Sequence, residues 1–283
     1  MSFHRRIGVG MNILKFNLSG KTAFFKKPDV NSNYYFTYGH IHKVALLGIF
    51  GAIMGYGGYN QQVRNSNLTY PEFYEKLKNI KVSIMPEQTI KKVEQDNMIP
   101  AKNKIQKGYF NKKIQTFNNT VGYANADGNL IVREQWLEDP CWDIYLMLQG
   151  DLEEEIARHI IGSKAAFIPY LGKNDHMAIM SHAEIIEMKN ISLTQEHRID
   201  SLYIKDFFEV SINDNFGSAF DLDEDIEVKF KYEERLPIAL EESTNQYITK
   251  PFIYTNGKVV IKASIDLDEV FIGCCNEKII QFY

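Results

Sequence analysis

The sequence predicts an α+β protein with a ferredoxin-like (RRM-like) βαββαβ domain over residues 1–190 and a β-rich region over residues 191–283. Three observations lead to this prediction. Short stretches in which apolar and polar residues alternate have the period of half-buried strands. Two longer apolar stretches that end in glycine have the features of helices. These elements follow one another as strand, helix, strand, strand, helix, strand, which is the ferredoxin-like order.

The first strand and helix are predicted near the start of the chain. Apolar and polar residues alternate over residues 12–18, which predicts a strand with one buried face. Residues 19–28 mix turn formers, lysines and aromatics, which indicates an extended basic loop. A helix is predicted from about Gly39 to Gly58, and its many small residues favour close packing on a sheet.

The chain then continues with a short helix over residues 71–78 and a second strand over residues 80–85. Residues 91–113 are polar and rich in lysine, so we expect an exposed excursion there. The dipeptide Asp-Gly between residues 121–126 and 130–136 predicts a β-hairpin.

The second half of the motif begins with a strand over residues 144–148. Asp151 and Glu154 resemble an N-cap and its capping-box partner, which predicts a helix that ends at Gly162. Residues 177–188 supply the last strand. The C-terminal region is predicted to hold four strands, over residues 203–210, 226–232, 247–254 and 259–265.

Charge is distributed very unevenly along the 283 residues. The formal net charge is −4, but residues 1–113 hold 18 basic and 6 acidic residues, whereas the remainder holds 14 basic and 30 acidic residues. A basic front half indicates contact with a polyanion, and an acidic back half indicates solvent or protein contacts.

Cysteine content and hydropathy argue against a secreted or membrane protein. Cys141 and the adjacent pair Cys274 and Cys275 form no even disulfide framework. The longest apolar run, residues 44–59, is shorter than the ~20 residues that span a bilayer. Residues 1–10 lack the apolar segment of a signal peptide, and they are either disordered or the product of a misplaced start codon. We therefore expect a cytoplasmic protein without membrane contact.

Motifs for nucleotides and metals are incomplete. Gly20-Lys21-Thr22 lacks the earlier glycine of a phosphate-binding loop, because Lys15 stands at that position. The glycines around the first helix lack dinucleotide-binding spacing. The acidic residues that begin at Asp221 lack the glycine and glutamate of a calcium loop. The two histidines nearest each other, at positions 40 and 42, have no third ligand nearby. No metal and no cofactor is expected.

Aromatic, histidine and lysine side chains cluster in two segments that are candidates for binding RNA. Helix N-termini attract phosphates, and aromatic rings stack on bases. The alternatives are that the aromatics cap the core and that the lysines are merely solvated. The candidate residues from these segments and the basic loop are Lys26, Lys27, Tyr38, His40, His42, Lys43, Lys107, Tyr109, Phe110, Lys112 and Lys113.

Four segments of the chain resemble a known family. They are ILKFNLSGKTAFFKKPDVN, YFTYGHIHKVALLGIFGAIMGYGGY, IVREQWLEDPCWDIYL and PYLGKNDHMA. Together they resemble the type I-B form of the CRISPR Cascade subunit, in the RAMP superfamily, that holds the 5′ handle of the guide RNA (crRNA). The resemblance covers most of residues 1–190 and is weak beyond them.

The resemblance implies an RNA-binding body from which a basic thumb, here about residues 91–120, projects. It adds Lys173 and His176 of the last segment to the RNA-binding set. It also implies that the partners are the crRNA 5′ handle, the Cascade backbone subunit and the Cascade large subunit, with target DNA near the protospacer-adjacent motif as a further candidate.

Two functions remain open at this point. The favoured one is a non-catalytic subunit that binds the handle and caps the backbone filament in antiviral defence. The alternative is a metal-independent endoribonuclease that cuts CRISPR repeat RNA, as one branch of the family does. Tyr38, His42 and Lys43 have side chains suited to acid–base chemistry, but the catalytic set of that branch does not align with this sequence.

Overall fold

The computed structural model describes residues 10–29, 33–64, 68–87, 108–119, 130–191, 195–211 and 230–283. Predictions for residues 1–9, 91–107, 121–129 and 226–229 therefore lie outside the described residues.

The described residues form many strands and few helices. The strands are β1 (Met11–Ser19), β2 (Thr22–Ala23), β3 (Tyr34–Tyr35), β4 (Val82–Pro86), β5 (Lys112–Asn119), β6 (Leu130–Glu138), β7 (Cys141–Met147), β8 (Ile179–Asn190), β9 (His197–Arg198), β10 (Tyr203–Ile204), β11 (Phe208–Val210), β12 (Lys231–Leu240), β13 (Tyr247–Thr255), β14 (Lys258–Ile261), β15 (Phe271–Cys275) and β16 (Lys278–Phe282). The helices are α1 (Lys43–Met54), α2 (Tyr59–Arg64), α3 (Glu72–Leu77) and α4 (Asp151–Ile161).

A six-stranded sheet of order β16-β15-β8-β1-β7-β4 forms the centre of the molecule. β1 lies between β7 and β8 and is antiparallel to both, and β4 pairs antiparallel with β7. In chain order the central elements are β1, α1, β4, β7, α4 and β8. The mixed α and β composition predicted from the sequence is therefore confirmed, as are strands at four of the predicted positions.

This sheet nearly closes on itself. β15 pairs with the end of β8, and β16 pairs with β15 in a hairpin. The residue after β16, Tyr283, then contacts β4 at the opposite edge of the sheet. There, Val82 N–H donates to Tyr283 O at 3.3 Å and Tyr283 N–H donates to Val82 O at 3.1 Å. The contact covers part of both sheet edges, which would otherwise expose unpaired backbone groups. The sequence analysis did not predict β15 or β16.

β1 buries one face along most of its length and the other face at Ile13. Leu14, Phe16 and Leu18 point into the main core, where the Phe16 ring lies 6.2 Å from that of Phe50 in α1. Ile13 points to the other side, into a smaller core that β16 completes with Ile280. The alternation over residues 14–18 thus reflects the face on the main core, whereas the consecutive apolar pair Ile13 and Leu14 marks where both sides of the sheet are covered.

The helix boundaries differ slightly from the predictions. α1 begins at Lys43 with His42 as its N-cap and ends at Gly55, whose φ of 78° is left-handed and favours glycine. The predicted start at Gly39 was wrong because the backbone up to His42 is extended. In α4, Gly150 is the N-cap and Asp151 is the first helical residue, so the predicted capping box was wrong.

A second sheet has the order β2-β6-β3, and β5 also pairs with β6. The sequence analysis expected β6 to pair with residues 121–126 across Asp127-Gly128. In the described residues β6 pairs over 130–137 with β5. Residues 112 and 113 of β5 were expected in the exposed excursion, and the whole strand lies within the thumb that the resemblance implies. β5 was not predicted as a strand. The reason is that β5 is polar and partly exposed on both faces, so it lacks the apolar alternation that reveals a strand. We call β5 and β6 together the ribbon.

The C-terminal region adds two three-stranded sheets, of order β10-β13-β12 and β11-β14-β9. The strand predicted at 247–254 is confirmed in position, and the one predicted at 259–265 is confirmed up to residue 261. The prediction of one strand over 203–210 was wrong, because a 3-10 turn at residues 205–207 divides it into β10 and β11, which lie in different sheets. Side chains of this region share the main core with β1 and α1, among them Leu202, Leu236 and Phe252. The boundary predicted at residue 190 stays a prediction. Among the described helices, none is long and apolar enough to cross a membrane.

Candidate nucleic-acid interface

His40 lies in the interior rather than at a surface. Its side chain is fully buried, and its Nδ1 accepts a hydrogen bond from Trp142 Nε1–H at 3.3 Å. The proton of the neutral ring is therefore on Nε2, which donates to Gly108 O at 3.0 Å. Burial lowers the pKa of His40 to about 4. The neutral imidazole thus ties α1 to the start of the ribbon and to β7.

His42 is the N-cap of α1. Its Nδ1 accepts a hydrogen bond from Ala45 N–H at 3.2 Å, which satisfies one of the free donors of the first helical turn. Burial lowers the pKa of His42 to about 3. The imidazole therefore occupies the position at the helix N-terminus that the sequence analysis had considered for a phosphate.

Tyr38 and Lys43 flank this cap and are buried as well. The Tyr38 ring lies 5.3 Å from the His42 ring, and burial raises the pKa of Tyr38 to about 12. Burial, with a smaller contribution from the nearby charge of Lys81, lowers the pKa of Lys43 to about 8. The interpretation that these aromatics close the core describes Tyr38, His40 and His42 better than an exposed stacking platform.

Lys27 takes part in an ion pair with the acidic C-terminal region. Its Nζ lies 2.6 Å from Glu234 Oε1 in β12. Glu234 Oε2 also accepts from Gly39 N–H at 2.8 Å and from the Tyr232 hydroxyl at 2.5 Å. Burial opposes ionisation of Glu234, but these hydrogen bonds outweigh it and lower its pKa. Glu234 therefore links the basic loop, the segment before α1 and β12.

A different group of lysines lies over aromatic rings on one face of the second sheet. Residues that alternate along β6, or lie opposite one another across the ladder, share a face. Lys113 is opposite Trp136, Gln115 is opposite Glu134, and Tyr35 pairs with Glu134 from β3. We call the following six residues the lysine–aromatic surface: Lys26, Tyr35, Lys113, Phe117, Trp136 and Lys173.

Three cation–ring contacts define this surface. The Nζ of Lys26 lies 3.8 Å from the centre of the Tyr35 ring. Lys113 Nζ lies 5.8 Å from the centre of the Trp136 ring. Lys173 Nζ lies 5.1 Å from the ring of Phe117. Each distance is within the range of cation–π attraction, so the lysine ammonium groups stay near the rings.

Glu134 and the loop that follows α4 hold the surface together. Glu134 accepts from Trp136 Nε1–H at 3.0 Å and from Lys173 Nζ at 3.3 Å, and Lys173 also pairs with Asp175 at 3.2 Å. Desolvation works against the charge of Lys173, but these two carboxylates raise its pKa overall. Lys173 is thus cationic but partly neutralised.

His176 lies beneath this loop and is buried. Its Nδ1 is 2.7 Å from Thr22 Oγ1, and its ring packs edge-on to Trp136 with centroids 4.6 Å apart. Its Nε2 has no hydrogen-bond partner among the described residues. Burial lowers the pKa of His176, with smaller opposing effects from nearby charges. His176 therefore supports the Trp136 ring and does not itself reach the surface.

The remaining candidates lie at the base of the ribbon. Phe110 is buried against Trp142, with ring centroids 5.2 Å apart, so the expectation of an exposed phenylalanine was wrong. Tyr109 is about half exposed. Lys112 is exposed on the opposite face from Lys113, and partial desolvation lowers its pKa while Glu234 opposes that shift. Lys107 lies outside the described residues.

The structure thus separates the predicted residues into two groups. Lys26, Lys113 and Lys173 come together on the lysine–aromatic surface, whereas Tyr38, His40, His42, Phe110 and His176 are interior. The predicted set lacked Phe117, Trp136 and Glu134, and it did not include Tyr35, although that residue belongs to the aromatic cluster considered for base stacking. The alternation of residues 113, 115 and 117 could have revealed the shared face once β5 was recognised as a strand. Within the described residues no group of side chains could hold a metal ion.

Comparison with known proteins gives distant structural similarities. No protein-family model matches the sequence, and comparison with curated proteins gives no match. A chain of a "CRISPR RNA-guided surveillance complex" is similar with 11% identity and a TM-score of 0.46, over 91% of this chain and 93% of that one.

Two further solved structures are similar over most of their length. A "CRISPR protein from Archaeoglobus fulgidus" has 8% identity and a TM-score of 0.45, over 96% of this chain and 99% of that one. A "CRISPR-associated Protein" has 13% identity and a TM-score of 0.32, over 90% and 95%. These identities and scores are too low to assign residues or an activity.

Proposed function

We propose that this protein is a non-catalytic subunit of a type I-B CRISPR Cascade complex, and that it binds the 5′ handle of crRNA and caps the backbone filament. The four sequence segments that resemble the handle-binding subunit support this proposal. We assign the core of β1, α1, β4, β7, α4 and β8 to the ferredoxin-like class, because its strand order and antiparallel pairing have that arrangement.

The observation that carries the proposal is the lysine–aromatic surface. Single-stranded RNA is bound by cations that contact phosphates and by aromatic rings that stack on bases. On this surface each of three lysines lies over a ring, so both kinds of contact are available within one face.

The environment of the buried residues favours a binder over a nuclease. Metal-independent RNA cleavage needs a base and an acid whose pKa values lie near the working pH. The pKa of His42 is lowered to about 3 and that of Tyr38 is raised to about 12, in both cases chiefly by burial. In addition, His42 Nδ1 already accepts a hydrogen bond from the helix backbone. Burial lowers the pKa of Lys43 to about 8, near that range, but neither His42 nor Tyr38 supplies the second group. We therefore place no catalytic acid–base pair among these three residues.

Partner contacts follow from the same proposal. The Cascade backbone subunit and large subunit are the protein partners, and the crRNA handle is the nucleic-acid partner. Target DNA near the protospacer-adjacent motif is a further candidate partner. The positive charge of the surface does not distinguish this DNA from RNA.

One experiment tests binding and catalysis together. We expect RNA with a uniform 5′ end to copurify with the protein and its neighbouring subunits. The purified protein should also bind repeat RNA in the presence of a chelator and leave it uncut for hours. Cleavage of the repeat at one position, abolished by His42→Asn with affinity retained, would establish the nuclease instead. Absence of any RNA binding would refute the proposed function.

A further inference from the structure

A cleft beside α1 adjoins the lysine–aromatic surface. It has a volume of about 650 Å³, within the ~300–1,000 Å³ of typical small-molecule sites. Its walls are α1, the start of α2, the basic loop at Phe24 to Lys26, the loop of residues 167–172, and Tyr247. Lys26, whose ammonium group lies over Tyr35, stands at its edge.

Exposed aromatic side chains form the rim of this cleft on a backbone that is held in place. Phe167 is 61% exposed, and Tyr59 and Tyr170 are exposed by nearly half. The loop that carries Phe167 donates two backbone hydrogen bonds to the end of α1, from Ala166 N to Ile53 O and from Phe167 N to Ala52 O, each 3.0 Å long. A cluster of exposed rings on a fixed backbone marks a surface where a ligand or a partner binds.

Gly48 in the middle of α1 is not explained by packing. A Cβ atom at this position would meet nothing within 4 Å, whereas one at Gly51 would meet the Phe73 side chain at 2.5 Å. Glycine inside a helix is unfavourable relative to alanine. Gly48 therefore costs helix stability without a gain in packing, and its effect is to leave the floor of the cleft open.

The lining has the chemistry of a base-binding site. Tyr59, Phe167, Tyr170 and Tyr247 offer rings, Asn60 offers amide donor and acceptor groups, and Lys26 offers a cation for a phosphate. Among the described residues that line the cleft, none is acidic. This composition suits a nucleotide of a polyanion better than a basic or purely apolar peptide.

We propose that this cleft takes up a nucleobase that leaves the stack of single-stranded RNA as the strand crosses the lysine–aromatic surface. The proposal rests on the proposed function, because it adds a base-specific subsite to the same RNA interface. Lys26 lies at the junction, where it contacts the phosphate next to the inserted base.

Substitution of Gly48 tests the proposal because the position is open. Gly48→Leu places a larger side chain in the floor of the cleft, at a position where an added Cβ atom meets nothing within 4 Å, and Gly48→Ala is the matched small control. The probes are short single-stranded RNAs of A, C, G or U and an abasic RNA of the same length, each titrated at several salt concentrations.

We expect Gly48→Leu to weaken binding of at least one base-containing RNA by about 5- to 100-fold, the range of one lost stacking interaction. Gly48→Ala should weaken it much less. The salt dependence should stay unchanged, since no phosphate contact is lost. Both variants should bind the abasic RNA like the unmodified protein. If Gly48→Leu fails to fold, Phe167→Ala at the exposed rim is expected to give a loss of the same kind.

Three results would overturn the inference in different ways. Unchanged affinity of folded Gly48→Leu and Phe167→Ala for every RNA removes the base subsite and leaves the proposed function intact. Loss of a copurifying protein, with RNA affinity retained, makes the cleft a protein-docking groove. Failure of the unmodified protein to bind any RNA refutes the proposed function and this subsite together.

Discussion

At the scale of single residues, the histidines show how burial changes the role that a sequence suggests. Tyr38, His40 and His42 form a motif of aromatic and titratable side chains that is equally suited to an RNA surface and to a core. A sequence pattern does not distinguish an RNA surface from a core here, because the side chains and backbone that bury His40 belong to β7, β12 and residues 108–110, which are distant in the chain. The hydrogen bonds of His40 and His42 show that both rings are neutral structural groups.

The first prediction is a loss of stability in mild acid. The unfolded chain protonates His40 and His42 near pH 6.5, whereas the folded chain does so only near pH 4 and 3. Because the unfolded state binds more protons in this interval, the free energy of unfolding decreases as the pH falls from about 6.5 towards 4. Each histidine contributes a slope of up to ~1.4 kcal/mol per pH unit.

Urea unfolding at several pH values measures this slope. The matched variant is His42→Asn, which keeps a side-chain acceptor at the N-cap and removes the titrating ring. We expect its slope between pH 6.5 and 5 to be shallower than that of the unmodified protein. Equal slopes would show that His42 is already protonated, or exposed, in the folded state.

Lys26 and Lys27 give the second prediction, because they are adjacent in sequence but differ in their contacts. Lys26 is exposed over Tyr35, whereas Lys27 is paired with the half-buried Glu234. Lys26→Ala should therefore flatten the log–log salt dependence of RNA binding by about 0.7, the value for one phosphate contact on a single strand. Lys27→Ala should leave the slope unchanged and lower stability by about 1–3 kcal/mol, since Glu234 loses a partner.

Fluorescence anisotropy with RNA at several salt concentrations, combined with thermal unfolding, separates these two effects. A flattened slope for Lys27→Ala, with stability unchanged, would mean that Lys27 leaves Glu234 and contacts RNA.

At the scale of secondary-structure elements, the sequence predicted most of the central strands and helices but misjudged the ribbon. The central strands are recognisable because a buried face demands regular apolar residues, as in Leu14, Phe16 and Leu18. β5 has no fully buried face, so its sequence lacks regular apolar residues. Because it is rich in lysine, it resembled a solvated loop and was not predicted as a strand. For the same reason Trp136 and Phe117, which complete the lysine–aromatic surface, were absent from the candidate site.

The third prediction uses the two faces of the ribbon. Lys113 lies on the lysine–aromatic surface and Lys112 on the opposite face. We expect Lys113→Ala to weaken RNA binding and to flatten the salt slope by about 0.7. Lys112→Ala, the matched control, should bind RNA with an unchanged slope. If the effects are reversed, the RNA lies on the other face of the ribbon.

Phe110 provides the fourth prediction, at the point where the ribbon leaves the core. Its ring packs on Trp142 and lies 5.3 Å from the His40 ring. Phe110→Ala should lower the free energy of unfolding by about 3–5 kcal/mol, the usual cost of a deleted core phenylalanine. Tyr109→Ala, at a half-exposed neighbour, should cost far less. Equal small losses in urea unfolding would place Phe110 outside the core.

At the scale of the whole molecule, the structure joins regions that the sequence separated at residue 190. The end of the ferredoxin-like order and the change from mixed to strand-only patterns predicted a boundary there. Yet β15 and β16 belong to the same sheet as β1, and Glu234 of β12 neutralises Lys27 of the basic loop. Such long-range pairing leaves no periodic signal in the sequence, because each partner has the pattern of an ordinary strand or loop.

This arrangement predicts that the chain unfolds as one cooperative unit. Ile280 in β16 is fully buried and packs with Ile13 of β1 and Met147 of β7. Ile280→Ala should therefore destabilise both regions, by about 2–5 kcal/mol. Both tryptophans, Trp136 and Trp142, lie before residue 190, so their fluorescence reports on the first region and on the core that it shares with the C-terminal region.

Urea unfolding of this variant, followed by tryptophan fluorescence and by far-ultraviolet circular dichroism, separates one unit from two. We expect the two midpoints to fall together and to coincide, because deleting an Ile280 contact weakens the sheet that β1 and β16 share. Ile279→Ala, at the neighbouring and partly exposed position, is the matched control and should shift both midpoints less. A circular dichroism midpoint that falls while the fluorescence midpoint stays fixed would restore a separate C-terminal domain. Glu234 would then act as a contact between two domains instead of part of one core.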